Sequence, residues 1–210
     1  MRRILCLLVI ILLNCQKSPS DKTVIEAEPI AKPNVDFDKL KSKAVEACAF
    51  VKAKGFNDDF CILVDMSLHS GVNRFFIWDF EKGEITHQFL VGHGCGNASW
   101  SSDETKDKPR FSNVDGSHLS SLGKYKLGAR GKSEWGIGVK YLMHGLEESN
   151  SNALSRFIVF HSWNRMADYE VYPKGSPEGW GCPTVSNNAL KTIDPMIQKS
   201  EKPVLFWIYN

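Results

Sequence analysis

Short apolar segments bounded by glycine, proline and polar residues dominate the chain from about residue 60 to its end. They are rich in β-branched and aromatic residues, which is typical of β-strands. We expect strands at 61–64, 75–78, 85–91, 123–127, 136–142, 156–161 and 203–209. The second and third flank residues 79–83, a loop ending in glycine that predicts a β-hairpin. The pattern therefore predicts a mainly β fold, a small and mostly antiparallel β-barrel or sandwich.

Two helices are expected beside these strands. The first is an accessory helix over 36–55, where apolar residues recur at three- and four-residue steps: Phe37, Leu40, Ala44, Cys48 and Val51. Asp36 suits its N-cap, and Gly55 suits its C-terminal end. A short C-terminal helix is expected over 186–197, and we expect Pro195 to end or kink it because proline removes a helical hydrogen bond.

The N-terminus has the pattern of an export signal. Arg2 and Arg3 precede the apolar run 4–13, which is shorter than the roughly 20 residues that span a bilayer. We therefore predict a signal peptide over 1–14. The run ends in Leu-Leu-Asn-Cys, which resembles a bacterial lipoprotein cleavage box with Cys15 as the lipidated residue, although a plain signal peptide with an incidental Cys15 is the alternative.

The segment that follows, 15–35, is polar and contains three prolines, so we expect a tether. The predicted location is the bacterial cell envelope, in the periplasm, with a membrane anchor of acyl chains at Cys15. The remainder, 56–210, is the predicted catalytic domain.

The balance of basic and acidic residues argues against nucleic acids as partners. The chain has 26 basic and 24 acidic residues, and the two counts become equal when Arg2 and Arg3 are set aside. Binding to a phosphate backbone requires a basic surface. We therefore expect no nucleic-acid partner.

His161 and Cys182 carry the clearest chemistry in the sequence. His161 directly follows an apolar strand, and Cys182 follows Gly181 in a Gly-Trp-Gly-Cys-Pro segment. A free thiol has a pKa of about 8.5 and is only a few per cent thiolate at neutral pH, so it needs a base. A neighbouring imidazole can take the proton, and an ion pair can lower the thiol pKa further. Gly181 lets the backbone approach a substrate carbonyl closely, so its N–H groups can face a developing oxyanion.

The order of these residues resembles the catalytic signature of the L,D-transpeptidases, the YkuD-type enzymes that cross-link peptidoglycan. The signature residues are His161-Ser162, then Gly181-Cys182 with Val185-Ser186 behind them. Five upstream segments resemble the exported murein L,D-transpeptidase catalytic domain subfamily: 111–113, 120–125, 145–147, 152–153 and 156–159. The resemblance covers about 60–209 and implies the L,D-transpeptidase catalytic fold.

The resemblance also implies roles for individual residues. Cys182 is expected to be the nucleophile, His161 its general base, and the N–H groups of Gly181 and Cys182 the oxyanion hole. Polar or aromatic residues expected to contact substrate are Ser162, Thr184, Trp180, Ser121 and Asn113. Two positions depart from the family pattern: Gly179 stands where Ser or Thr is common, and Trp180 stands where His is frequent.

The reaction that the resemblance implies is a two-step acyl exchange on peptidoglycan stem peptides. The thiol attacks the carbonyl of the diamino acid in a tetrapeptide, D-alanine leaves, and the thioester passes to an amine and forms a 3–3 cross-link. No metal and no organic cofactor are expected. We expect residues 97–121 to form a cover that limits water at the thioester.

Several alternatives remain open from the sequence. An L,D-carboxypeptidase on the same fold would use the same residues, whereas a non-catalytic wall-binding lipoprotein would use none of them. His93 and Cys95 lie in a Gly-His-Gly-Cys-Gly segment and could join His161 and Cys182 as ligands of zinc. Disulfides are also open, either between two cysteines expected in the core, Cys48 and Cys61, or between Cys95 and Cys182.

Overall fold

The structure, a computed structural model, describes residues 31–210. The predicted signal peptide 1–14, the predicted lipid anchor Cys15 and the first part of the tether, up to residue 30, lie outside the described residues. In chain order the elements are α1 (Phe37–Lys54), β1 (Phe60–Asp65), β2 (Phe75–Asp79), β3 (Glu84–Phe89), β4 (Gly123–Lys132), β5 (Val139–Gly145), a 3₁₀ turn (Glu148–Asn150), β6 (Val159–Ser162), β7 (Thr184–Val185), α2 (Asn187–Lys199) and β8 (Leu205–Tyr209). The prediction of a mainly β fold with one N-terminal and one C-terminal helix is confirmed.

All eight strands belong to one sheet with the order β3-β2-β1-β8-β4-β5-β6-β7. Strands β2 and β6 are five steps apart, so a flat sheet would separate them by roughly 24 Å at the usual spacing of about 4.8 Å. The rings of Phe75 on β2 and Phe160 on β6 nevertheless stack with centroids 5.7 Å apart. The sheet therefore curls around its core into a barrel-like shape, as predicted.

The alternation of side chains along β8 divides the apolar residues between two faces. Phe206 and Ile208 point into the enclosed core, together with Phe75 and Phe160. Leu205, Trp207 and Tyr209 point outward, where they pack under α1 with Leu63 and Phe76. One face of the sheet thus forms the core that supports the candidate site, and the other carries the N-terminal helix.

Helix α1 begins and ends where the sequence predicts. The Asp36 side chain accepts a hydrogen bond from the Lys39 N–H, and Gly55 adopts the left-handed conformation at the C-terminal end. The buried stripe is Leu40, Ala44, Ala47 and Val51. Phe37 is 64% exposed and Cys48 is half-buried, so including them in the buried face was wrong. Ala47 takes the place of Cys48 in the three- and four-residue spacing.

One of the two expectations for the C-terminal helix was that it ends at Pro195, and this is wrong. Helix α2 continues to Lys199. Three buried residues anchor it in the core, namely Ala189, Leu190 and Ile193. Asp194 binds the Arg130 guanidinium through both carboxylate oxygens, at 2.8 and 3.0 Å. This packing outweighs the one backbone hydrogen bond that proline removes. Within residues 31–210, no helix is long and apolar enough to cross a membrane.

Candidate active site

The parallel pairing of β6 and β7 brings the two predicted catalytic residues to one place. His161 is in register with Thr184, and Ser162 with Val185. Cys182 precedes Thr184 by two residues, so it lies beside Val159, whose N–H donates a hydrogen bond to the Cys182 sulfur at 3.4 Å. Because Val159 and His161 share one face of the strand, thiol and imidazole line the same cavity.

The surroundings of His161 favour a neutral imidazole. Its Nδ1 lies 2.9 Å from the Ser162 carbonyl oxygen. A carbonyl can only accept, so Nδ1 carries the proton and Nε2 keeps its lone pair. Burial lowers the pKa of His161, the hydrogen bond to Ser162 raises it, and the nearby charge of Lys140 lowers it. The imidazole is therefore able to accept a proton at neutral pH.

The Cys182 thiol is also neutral at rest. Burial raises the pKa of the thiol above its ordinary value, and the Val159 N–H together with the charges of Arg156 and Lys140 offsets only part of that rise. The sequence suggested an ion pair that lowers the thiol pKa, whereas the site favours an uncharged thiol beside an uncharged imidazole.

This electrostatic state predicts a pH dependence for alkylation of Cys182. Iodoacetamide consumes thiolate, so a raised pKa makes alkylation slow at pH 7, with a rate that still rises above pH 8.5. The alkylation rate of Cys182 is measured by peptide mass mapping as a function of pH. The pH at the midpoint of this profile should lie above that for a cysteine in an unstructured peptide. A midpoint below that reference would instead demonstrate a preformed ion pair.

Gly181 shapes the turn that carries Cys182. Its φ is +100°, and a Cβ at this position would lie 2.6 Å from the Leu119 carbonyl oxygen. The Gly181 carbonyl accepts a hydrogen bond from the Ser120 hydroxyl at 3.0 Å, and that hydroxyl accepts one from the Gly94 N–H at 3.1 Å. Across residues 31–210, no group accepts a hydrogen bond from the N–H of Gly181 or of Cys182. Two backbone donors of this turn are thus free for a ligand.

A buried chain of hydrogen bonds fixes the segment just before this turn. Arg74 Nη2 lies 2.8 Å from His93 Nδ1, and His93 Nε2 lies 2.8 Å from the Thr105 hydroxyl. Thr105 in turn donates its hydroxyl proton to Glu178 at 3.0 Å. Because a guanidinium only donates, Nδ1 of His93 accepts and Nε2 carries the proton, so every bond in the chain runs from Arg74 towards Glu178.

Arg74, His93 and Glu178 are fully buried, so this chain joins three separate segments inside the protein. The backbone reinforces it, because the Gly179 N–H donates to the His93 carbonyl at 2.7 Å and the Cys95 N–H donates to the Gly179 carbonyl at 2.7 Å. Both ring nitrogens of His93 are occupied, which leaves neither for the zinc site that the sequence allowed. His93 is therefore a structural support of residues 178–182.

We expect Thr105→Val to weaken this support with little change in volume. The variant breaks the link between His93 and Glu178, so the turn with its free N–H groups moves, and acyl transfer falls about ten-fold or more. Alkylation of Cys182 by iodoacetamide needs no oxyanion donors and should stay within a factor of about two. Thr192→Val, on the exposed surface of α2, is the matched control. Equal losses in both assays would mean general damage to the fold.

Four tryptophans form the walls of the cavity that contains Cys182 and His161. They are Trp100, Trp135, Trp163 and Trp180, and Gly179 and Thr184 complete the lining. The sequence singled out Trp180 and Thr184 but missed the other three indoles. The only available signal was position, since Trp163 closely follows His161 and Trp180 closely precedes Cys182.

A second cavity meets the first at the two predicted catalytic residues. Its lining includes two lysines, Lys132 and Lys140, together with Phe157 and Val159. Cys182 and His161 line both cavities. The lining of the second cavity also contains the carboxylate of Glu134. Cys182 thus faces an aromatic cavity on one side and a cavity with two lysines and one glutamate on the other.

The other three residues expected to contact substrate do not line these cavities. The Ser162 hydroxyl is buried and accepts a hydrogen bond from the Ile137 N–H at 3.0 Å. The Ser121 hydroxyl donates to the Ser112 carbonyl at 2.8 Å and accepts from Arg156 at 2.7 Å. Asn113 binds the 148–152 turn through its side chain. These contacts are internal braces of the fold.

The long segment 97–121 contributes to the site in two ways. Trp100, near its beginning, lines the aromatic cavity. Leu119 and Ser120, at its end, lie directly against Gly181. The segment therefore lines the cavity and also supports the Gly181 turn. Its expected role as a cover that limits water stays a prediction. Among the described residues, the thiols of Cys48, Cys61, Cys95 and Cys182 are all free, so neither of the two disulfides that the sequence left open is formed.

Comparison with known proteins identifies the family. The model of the L,D-transpeptidase catalytic domain matches residues 31–208, which is most of the chain. No curated protein matches. Solved structures that resemble the chain include the helical cell shape determining protein Pgp2 from Campylobacter jejuni, with 13% identity and a TM-score of 0.44 over 72% of this chain and 47% of that chain. The L,D-transpeptidase from Xylanimonas cellulosilytica has 12% identity and a TM-score of 0.40 over 77% of this chain and 68% of that chain.

The chain spans about half the length of the Pgp2 chain that it matches. The family assignment rests on the domain match, which includes α1, seven strands, β8 except its last residue, and both candidate catalytic residues. The chain belongs to the L,D-transpeptidase catalytic domain family.

Proposed function

We propose that this protein is a cysteine-dependent peptidoglycan L,D-transpeptidase that forms 3–3 cross-links through a thioester on Cys182, with His161 as the base. The observation that carries the proposal is the cavity that the half-buried Cys182 thiol and the His161 imidazole line together. The imidazole is bound through Nδ1 to the Ser162 carbonyl, and within residues 31–210 the N–H groups of the adjacent turn have no acceptor. Together they supply a nucleophile, a base and an oxyanion site.

The first half of the reaction forms the thioester. The Cys182 thiol gives its proton to Nε2 of His161 as the sulfur attacks the carbonyl of the diamino acid in a stem tetrapeptide. The N–H groups of Gly181 and Cys182 stabilise the oxyanion. His161 then returns the proton to the leaving nitrogen, the carbon–nitrogen bond breaks, and D-alanine departs.

The second half transfers the acyl group. The amine of a neighbouring stem attacks the thioester, His161 accepts a proton from that amine, and the carbon–sulfur bond breaks. The sulfur recovers its proton from His161, and the resting neutral pair is restored. None of these steps requires a metal or an organic cofactor.

Two cavities that meet at the nucleophile suit a reaction between two peptides. In the second cavity two cations, Lys132 and Lys140, outnumber the one carboxylate, Glu134, which suits binding of the carboxylates of a stem peptide. The walls of both cavities restrict water around the sulfur, which favours an amine over hydrolysis.

Product masses distinguish this function from its alternatives. We expect purified protein incubated with stem tetrapeptide to release D-alanine and to form a cross-linked dimer. Tripeptide as the only product would identify an L,D-carboxypeptidase on this fold. The absence of any turnover, with Cys182 still open to alkylation, would identify a non-catalytic wall-binding protein.

We also propose that the protein acts in the bacterial cell envelope, exported by residues 1–14 and held at a membrane by acyl chains on Cys15. The support is the N-terminal sequence pattern together with the cell-wall chemistry of the family. Labelling of the full chain with a radioactive fatty acid during expression, lost in Cys15→Ala, tests the anchor.

A further inference from the structure

The four tryptophans of the aromatic cavity (Trp100, Trp135, Trp163 and Trp180) form one continuous surface. The ring centroid of Trp100 lies 5.1 Å from that of Trp163, 6.1 Å from that of Trp135 and 6.5 Å from that of Trp180. The plane of Trp100 is tilted by 40–52° to the other three, and the planes of Trp135 and Trp163 lie at 81° to one another. The rings therefore form the walls of a concave site and not a closed stack.

Three of these indoles are available to a ligand. Trp100 is 40% exposed, Trp135 47% and Trp180 61%, whereas Trp163 is buried beneath them. Large exposed aromatic side chains gathered in one cavity mark a binding site. In the same cavity, Thr184 is 3% exposed and its hydroxyl has no hydrogen-bond partner anywhere in the described part of the chain. A ligand with both apolar faces and polar groups would satisfy both features.

The proposed stem-peptide substrate does not explain this surface. Its residues are alanines, a glutamate and a diamino acid, which are small or charged, and none has a flat apolar face. The glycan of the same polymer does, because each pyranose ring presents axial C–H bonds on one face and hydroxyl and acetamido groups around its edge. C–H bonds with a partial positive charge are attracted to the negative face of an indole.

A cationic ligand fits the cavity less well. The Arg165 guanidinium already lies over the rings of Trp100 and Trp163, with its central carbon 5.2 and 5.9 Å from their centroids. A second cation on these faces would be repelled by Arg165. The guanidinium instead offers hydrogen-bond donors to the edge of a neutral sugar.

We propose that the aromatic cavity is a glycan subsite, which holds a sugar ring of the strand that carries the stem peptide. The inference rests on the proposed function, because it assigns a second part of the same substrate. The protein then acts on stems attached to glycan in preference to free peptides, and binding of the sugar orients the stem at Cys182.

The test compares a free stem tetrapeptide with the same tetrapeptide on its disaccharide of N-acetylglucosamine and N-acetylmuramic acid. We expect kcat/KM for D-alanine release from the disaccharide substrate to exceed that from the free peptide by about ten-fold or more. In Trp135→Ala and Trp180→Ala this ratio should fall towards one. Phe37→Ala, an equally exposed aromatic position on α1, should keep the wild-type ratio.

Binding without catalysis is measured separately, by tryptophan fluorescence with the disaccharide lacking its stem. We expect a saturable change that Trp135→Ala weakens several-fold. Equal kcat/KM on both substrates, or no saturable change, would overturn the glycan subsite and leave the proposed function intact. A saturable change with tetramethylammonium but not with the disaccharide would assign the cavity to a cation and overturn it as well. Absence of turnover on both substrates would contradict the proposed function, and the fluorescence titration would still decide the subsite.

Discussion

Replacement of Cys182 by alanine is expected to lower D-alanine release from a stem tetrapeptide by about 10³-fold or more. The sulfur is the proposed carrier of the acyl group, and loss of that nucleophile would remove the proposed covalent route. The change deletes a single half-buried atom, so the thermal midpoint should stay within about 3 °C of the wild type.

The matched control for this substitution is Cys48→Ala, which removes the same atom from a half-buried thiol on α1. We expect it to retain full activity. If Cys182→Ala retained more than a tenth of the wild-type rate while folded, a covalent role for this thiol would be untenable. Chromatographic quantification of released D-alanine measures both variants.

Replacement of Gly181 by alanine is expected to cost about 10²-fold in activity with Cys182 intact. An alanine Cβ would lie 2.6 Å from the Leu119 carbonyl oxygen, at a φ of +100° that side chains with a Cβ rarely adopt. The turn must shift to relieve this contact, and its two free N–H groups move with it. Loss of one oxyanion donor typically costs 10²- to 10³-fold in kcat.

Gly83→Ala is the control variant, because it introduces the backbone strain of a positive φ without the steric contact that Gly181→Ala makes with Leu119. Gly83 has a φ of +67° in the β2–β3 hairpin, but a Cβ there would meet nothing within 4 Å. We expect it to destabilise the protein by about 1 kcal/mol and to leave acyl transfer unchanged. Comparable activity of Gly181→Ala and Gly83→Ala, normalised to folded protein, would argue against an oxyanion role for the Gly181 turn.

Much of the fold follows from local sequence pattern. The apolar runs that form β1, β2 and β8 are buried on both faces, and a run of this kind is recognisable without knowing its neighbours. The caps of α1 at Asp36 and Gly55 are equally local. The two-residue strand β7 was not predicted, because its pairing with β6 depends on a residue more than twenty positions away.

The chemistry of the site was less predictable than its residues. The order of His161 and Cys182 along the chain singled them out as candidates, but the direction in which burial moves the pKa of each group depends on the folded surroundings. Ser162 and Ser121 were expected at the substrate because of their positions in matching segments, yet they brace the fold. No sequence spacing links Arg74, His93, Thr105 and Glu178, which meet only through tertiary packing.

The neutral resting pair has a consequence for selectivity. A thiol that ionises only as it attacks a carbonyl next to His161 is less exposed to oxidants and alkylating agents than a permanent thiolate. Such protection suits an enzyme that is proposed to work outside the cytoplasm, where oxidising conditions prevail.

The most direct test of the account is to trap the acyl-enzyme. Wild-type protein is mixed with stem tetrapeptide, quenched in acid within the first turnover, and measured by intact mass and peptide mapping. We expect a mass increase equal to the tetrapeptide minus D-alanine, located on the peptide that contains Cys182 and released by hydroxylamine as a thioester would be. Rapid release of D-alanine with no adduct on that peptide would contradict the account.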